Sequence, residues 1–537
     1  MAGRGRGGLP VTAGKDGLSL RSGEADEVRK IFDNNRLTVE ERFSSSYQLF
    51  YRLQSRIEES EPSLKQKYAE YVDKTVQSDV PALMLYKVSF LLELTGDYRY
   101  LEKIYRVASA VEIPVETRVF LYWQIIRRGF MNREATARSV MDLRKLHKSI
   151  LDAYRKDQGG EYEWIPAAKR NQDLVVVMTN QFLGPRHGPT QTALDRCLAL
   201  RTGLNKQVVL INTAEMARTL PVPYYEPFRA NFVDGYSEWN SVMHNETVIP
   251  FYQCKAVMPN PGEMVNILQF IARNKPGFIL SIGGNNFTAD LCGKLVPVAT
   301  QGCVDGIPVS EGTFFLPWHA PSQDQLTALD QWGIERERII ESDFTFSIQP
   351  QKGRLERAGF AIPRESFVLA VVGGRLDQEV SGGFAGDLDD FLAHNPGVFV
   401  AFAGLFNSYD KLRSKYRSFG EQTIFVGFQE DILAFYDLCD AYLNPPRQGG
   451  GTSAVEAMSK GLPVFTFPFG DVAHDAGPRY HIKRLAEIGE FIGKWSGSGE
   501  FRETERAVAM ARAAELTDTG KALARVIGLM ENSPYFQ

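Results

Sequence analysis

Cysteine is scarce and unpaired in this chain: Cys197, Cys254, Cys292, Cys303 and Cys439 stand singly, with no Cys-x-x-Cys spacing. That excludes a disulfide framework and fits reduced, buried thiols in a cytoplasmic protein. Histidine is almost as rare, seven in 537 residues, and none is paired at metal-ligand spacing. No structural zinc site is expected. A basic excess is missing too, since 61 Lys and Arg face 65 Asp and Glu for a formal net charge of −4. This argues against a nucleic-acid binder. No apolar run reaches the length that crosses a bilayer, so no transmembrane segment is expected. The opening stretch, MAGRGRGGLPVTAGKDG, lacks the apolar centre of a secretory signal, and residues 1–23 read as a disordered tail.

What is present suits a globular protein of two or three domains, with 44% hydrophobic and 23% charged residues. Residues 24–165 are helical in texture. VPALMLYKVSFLLELTGDYRYLEKIYRVASAV places apolar residues three and four apart, and Gly96-Asp97 fits a helix–helix turn. Such hairpins either cover a neighbouring domain or offer a surface to a protein partner. From 166 to 350 the texture changes to short β-branched runs (DLVVVMTN, QVVLINTA, VIPFYQC, GFILSIGG) separated by helical stretches. From 351 to 515 the alternation repeats with SFVLAVVGG, GVFVAFAGL, QTIFVGF, DAYLNPP and LPVFTFP. Two successive strand–helix series predict two Rossmann-like α/β domains facing a cleft, and residues 516–537 form a C-terminal helix and tail.

One segment carries chemistry. The strand DAYLN stops at Pro445-Pro446, which cannot continue a ladder. Gly449, Gly450 and Gly451 then make a loop with no Cβ atoms to obstruct a ligand, and Thr452 and Ser453 open a helix. A Gly-rich loop running into a helix N-terminus offers N–H groups and a positive dipole end to phosphate oxygens. Glu456, one turn in, is placed for a ribose diol.

The whole string NPPRQGGGTSAVEAMSKGLPVFTFP resembles the nucleotide-binding segment of GT-B glycosyltransferases whose C-terminal domain is of the "glycosyl transferases group 1" kind. The shared pattern is a small-residue loop, Glu456-Ala457, then Gly461, Pro463 and Val464. The resemblance implies diphosphate contacts from Arg375 and from Gly449, Gly450, Gly451, Thr452 and Ser453, a ribose contact from Glu456, and nucleobase contacts from Phe428 and Gln429. It implies a nucleotide-sugar donor, UDP-linked, as co-substrate, with no other cofactor and no metal. Two positions depart from the retaining members of that group. Gln448 stands where they have a Glu, and Val380 where they have a Lys. Arg447 is a candidate to replace the missing charge, and stereochemistry stays open.

The acceptor side is expected in the first α/β domain. His187 follows the first strand, at the carboxyl edge where open α/β sheets bind ligands, and is the candidate catalytic base. Asn285 and Asn286 in SIGGNNFTADL, His319 beside Trp318, and Asp471, His474 and Asp475 in FGDVAHDAGP are candidates for sugar or acceptor contact. The DxD in DLDD reads as a solvated helix start, since acidic residues favour the positive dipole end. The function that follows is sugar transfer from a nucleoside diphosphate to a protein or polysaccharide acceptor. The alternatives are a non-catalytic GT-B partner of another transferase and a nucleotide-sugar epimerase.

Overall fold

The computed structural model describes residues 25–26, 62–75, 81–131, 141–157, 162–185, 187–304 and 306–537. The expected tail, residues 1–23, lies outside them. Among the described residues between 62 and 157 the chain is helical, in Pro62–Thr75, Pro81–Thr95, Tyr98–Ser109, Val115–Met131 and Leu143–Asp157. Each packs on its predecessor. Gly96, at φ +65°, makes the turn between the second and third. Asp97 caps the third by accepting the Arg99 N–H at 2.9 Å, satisfying a donor the helix start leaves over.

The first sheet has seven strands in the order β3-β4-β2-β1-β5-β6-β7. These are β1 Asn171–Thr179, β2 Gln207–Asn212, β3 Ser241–His244, β4 Thr247–Gln253, β5 Pro276–Ile282, β6 Val298–Gln301 and β7 Phe314–Leu316. Only β3 runs antiparallel. The second sheet is wholly parallel, in the order β10-β9-β8-β11-β12. Its members are β8 Phe367–Gly373, β9 Val398–Gly404, β10 Thr423–Phe425, β11 Ala441–Leu443 and β12 Val464–Phe465. All of β5 is buried, as is β8 up to Gly373, as expected of strands with helices on both faces. The molecule is thus a GT-B arrangement, two α/β domains behind a helical one.

The helical region covers its neighbour. One apolar core runs from Leu92, Trp123 and Ile150 into Ile267, Ile271 and Val298 of the first α/β domain. Polar contacts cross the same seam: His147 Nε2 meets Asp290 at 2.7 Å with both side chains buried, and the His147 ring stacks on Phe287 at 4.4 Å.

The chain crosses between the α/β domains twice. The first crossing, near Thr345, is fastened by Arg196, which donates to the Thr345 carbonyl at 2.7 Å. The second, near Thr519, is fastened by Asp195, which accepts the Thr519 hydroxyl at 2.6 Å. The two threonine hydroxyls meet at 2.8 Å. Beyond the second crossing the helix Thr519–Glu531 returns to the first sheet, inserting Leu523, Val526, Ile527 and Met530 into its core.

Candidate functional site

The Gly-rich loop rests on a buried guanidinium. Arg447 donates from Nε to Asn444 Oδ1 at 2.7 Å and from one terminal nitrogen to Glu379 Oε2 at 2.8 Å. Its other terminal nitrogen donates to the Val372 carbonyl at 2.9 Å and the Tyr442 hydroxyl at 2.7 Å. This joins the ends of β8 and β11 beneath the loop. The expected role of Arg447 as a replacement diphosphate charge is therefore corrected: its donors are spent on the fold. Val380, at the position where the retaining members have a lysine, is fully buried in one core with Leu376 and Phe384.

Gly450 crosses over that guanidinium with φ +112°, a region L side chains rarely adopt. A Cβ there would lie 2.7 Å from Arg447 Nε. The helix Gly451–Ser459 follows, its first internal bond running from the Ala454 N–H to the Gly450 carbonyl at 3.2 Å. The N–H groups of Gly451, Thr452 and Ser453 thus occupy the unbonded first turn, the positive end of the dipole. Arg375 stands at the mouth of the loop, a terminal nitrogen 3.7 Å from where a Gly449 Cβ would be, and its half-exposed side chain is steadied by Glu379 at 3.4 Å. Glu456 lies one turn along, half-buried, and burial pushes its carboxyl up to about 7.

Phe428 is 62% exposed at the end of β10. The Gly404 N–H donates to the Gly427 carbonyl at 3.0 Å, which brings exposed Leu405 beside it. Gln429 folds back, donating to the Val426 carbonyl at 2.7 Å.

Other expected contact residues are placed differently. Asn286 is buried and caps the helix Phe287–Cys292 by accepting the Ala289 N–H at 2.9 Å. Asn285 accepts the hydroxyl of Tyr122 from the helical domain. Each side-chain oxygen is thus engaged within the protein, that of Asn286 by its own helix and that of Asn285 by the helical region. Asp475 is also withdrawn. It is fully buried beneath Gly451, where a Cβ would lie 2.5 Å from its Oδ2, and neither oxygen has a partner among the described residues. Burial, with Asp471 adding to it, holds that carboxyl well above the usual range. Asp471 stays near the loop, its Oδ2 3.9 Å from the Gly449 Cβ position and its N–H on the Gln448 carbonyl at 2.8 Å. Trp318 is buried on Phe344 and donates to the Gly302 carbonyl, so it is no stacking platform. His319, half-buried, faces His474 of the second domain, ring centres 5.1 Å apart.

A cleft of about 350 Å³ lies between the α/β domains. Thr452 and Glu456 line one wall, and Pro185, Gly188, Gln191, Thr192 and Asp195 the other. His187 sits between two of these lining residues, as the residue before the helix Gly188–Leu198, with Nδ1 2.9 Å from Thr190 Oγ1. Burial lowers its pKa, which leaves the imidazole neutral at neutral pH. Thr190 Oγ1 also accepts the Leu183 N–H at 2.9 Å, fixing the loop. Sequence reasoning missed Gln191, Thr192 and Asp195. Their spacing with Gly188 (every third or fourth residue) was the available signal, a polar stripe on one helix face. The DxD aspartates lie in the helix Gly382–His394, where Asp387 and Asp390 are exposed and Asp389 accepts the Phe419 N–H at 2.7 Å. Among the described residues no group of three or more His, Cys, Asp or Glu could hold a metal ion, and no helix is long and apolar enough to cross a membrane.

No curated protein matches the chain. Among solved structures, an O-GlcNAc transferase mutant of Thermobaculum terrenum aligns over 95% of this chain and 97% of its own at 13% identity, with a TM-score of 0.48. A mutant of S. aureus TarM, solved with fondaparinux, alpha-GlcNAc-glycerol and UDP, aligns over 50% of this chain and 59% of its own, at 12% identity and a TM-score of 0.36. Likeness this remote carries no residue-level correspondence. Residues 392–483, which span β9 to the strand after the Gly-rich loop, match the family "Glycosyl transferases group 1". The chain thus sets two α/β domains behind a helical one, and residues 392–483 of the second resemble the glycosyl transferases group 1.

Proposed function

We propose that this protein transfers a sugar from a nucleoside-diphosphate donor, UDP-linked, to a protein or polysaccharide acceptor. The observation that carries the reading is the Gly450–Gly451 turn, which points a helix N-terminus at the interdomain cleft with Arg375 at its mouth and Glu456 one turn in. In the reaction, an acceptor oxygen or nitrogen attacks the anomeric carbon while the bond from that carbon to the diphosphate oxygen breaks. The diphosphate leaves with the electron pair, and its growing charge is met by Arg375 and the first-turn N–H groups. The acceptor proton passes to His187, whose neutral imidazole can accept it at Nε2 when Nδ1–H donates to Thr190. Glu456 holds the ribose hydroxyls, and the exposed ring of Phe428 receives the base. No catalytic metal is needed in this scheme, because protein groups cover the leaving group.

The test is release of free nucleotide from a panel of nucleotide sugars, compared across wild type, Arg375→Ala, Glu456→Ala and His187→Asn. The expected result is turnover in wild type that survives EDTA, weakened donor binding in the first two variants, and intact donor binding without turnover in the third. Failure of wild type to bind any nucleotide sugar would remove the transferase reading and favour a non-catalytic partner.

A further inference from the structure

The helical region carries a second concavity, unconnected with the donor loop. It has a volume of about 730 Å³ and lies between the segment that joins two helices, around Val111 to Pro114, and the outer face of the helix Leu143–Asp157. One wall is apolar. Val111 is 78% exposed, and Ile113 and Pro114 extend the surface beside it. The other wall is basic: Lys145, Lys148 and Lys156 are exposed at intervals of three and eight residues along one helix stripe.

The floor is fixed rather than soft. Arg118 is buried there and donates from Nε to the Ala108 carbonyl at 2.9 Å and from a terminal nitrogen to Ser149 Oγ at 2.7 Å, which ties the two walls together. Of the two carboxylates in the lining, Asp152 is already bridged by Lys148 at 2.9 Å and by Arg155 at 3.0 Å. Glu112 remains at the rim against Lys145 and Lys156, for which no ion pair is found among the described residues. A groove with excess positive charge on a chain of net charge −4 is a local reversal of sign. Such a patch selects negatively charged partners by long-range attraction.

We infer that this groove docks an acidic peptide segment of a partner protein, with acidic side chains on the lysine stripe and apolar ones against Val111, Ile113 and Pro114. The paired character of the walls is what favours a peptide. A polyphosphate or an anionic glycan would use the lysines and leave the apolar wall in water. Alternating acidic and apolar residues in an extended segment satisfy both at once, since successive side chains point to opposite sides.

The experiment uses the full chain and fluorescence anisotropy of a labelled peptide in which Glu alternates with Leu. Binding that weakens steeply with added salt is expected, and the double variant Lys145→Glu, Lys156→Glu should lose at least about ten-fold in affinity. Val111→Asp should weaken binding too, while Lys145→Arg with Lys156→Arg should keep it. Circular dichroism and nucleotide affinity, unchanged in each variant, show that the fold is intact and separate this outcome from the fate of the donor-site reading. Equal binding by wild type and the charge-reversed variant would overturn the inference. So would equal binding of a Lys–Leu peptide. Binding of polyglutamate or inorganic polyphosphate as tight as that of the Glu–Leu peptide would also overturn it, leaving a polyanion site.

Discussion

Arg447→Met is the sharpest test of how the Gly-rich loop is built. The buried guanidinium makes four hydrogen bonds, one of them to Glu379, which is only 8% exposed. Methionine fills similar space and keeps none of them. Removing one partner of a buried ion pair leaves an uncompensated charge and costs about 3–5 kcal/mol. Here the lower end applies, because Glu379 retains Arg375 on its other oxygen at 3.4 Å, though that partner is half exposed and so weakly held. A loss of about 3 kcal/mol corresponds to a factor of roughly one hundred in the folded-to-unfolded ratio. The assay is urea unfolding followed by intrinsic fluorescence, with nucleotide affinity measured on the folded fraction. The double variant Arg447→Met, Glu379→Leu should recover most of the stability, because both charges then leave together. An unchanged urea midpoint combined with a large loss of nucleotide affinity would refute the reasoning. It would mean that Arg447 serves the diphosphate and not the loop.

Other expectations follow from the same geometry. Gly450→Ala places a Cβ 2.7 Å from Arg447 Nε at φ +112°, so a destabilisation of about 2–4 kcal/mol and a loss of nucleotide affinity should appear together in unfolding and binding titrations. Glu456 is neutral below about 7 and ionised above it, so nucleotide affinity should climb as pH rises through that value, because the carboxylate accepts from both ribose hydroxyls. In Glu456→Gln the climb should vanish, and its persistence would remove Glu456 from the ribose. Glu215, fully buried where it accepts the Phe287 and Thr288 N–H groups, has its carboxyl pushed by burial from 4.5 to about 7. The folded chain therefore binds more protons than the unfolded chain between those values, and stability falls as pH rises across them by about 3 kcal/mol. Glu215→Gln should flatten that slope in urea midpoints taken at a series of pH values.

Much of the architecture was legible in the sequence because it depends on short-range pattern. Runs such as DLVVVMTN and SFVLAVVGG have nowhere to go but a sheet covered on both faces, and they form β1 and β8. Gly96-Asp97 turns and caps for reasons local to those two residues. The triplet at 449–451 leads into a helix because Gly450 can take a positive φ and the residues after it favour helix. What pattern could not reach was direction. Arg447, Asn285 and Asp475 are polar residues in loops or short helices next to glycine, and their type alone permits either a ligand or the protein interior. What decides each is remote along the chain or buried: Arg447 bonds to Glu379 and Val372, Asn285 to Tyr122, and Asp475 is enclosed without a partner among the described residues. The same holds for His147 on Asp290, which joins the helical region to the first sheet, and for Thr519 on Asp195, which returns the final helix to it. The sequence by itself determined which elements form and where the Gly-rich turn into a helix arises, since those follow from neighbours within a few residues. Only the tertiary structure decided which polar side chains face the cleft, because burying such a group is tolerable only where a distant partner meets it or the group gives up its charge.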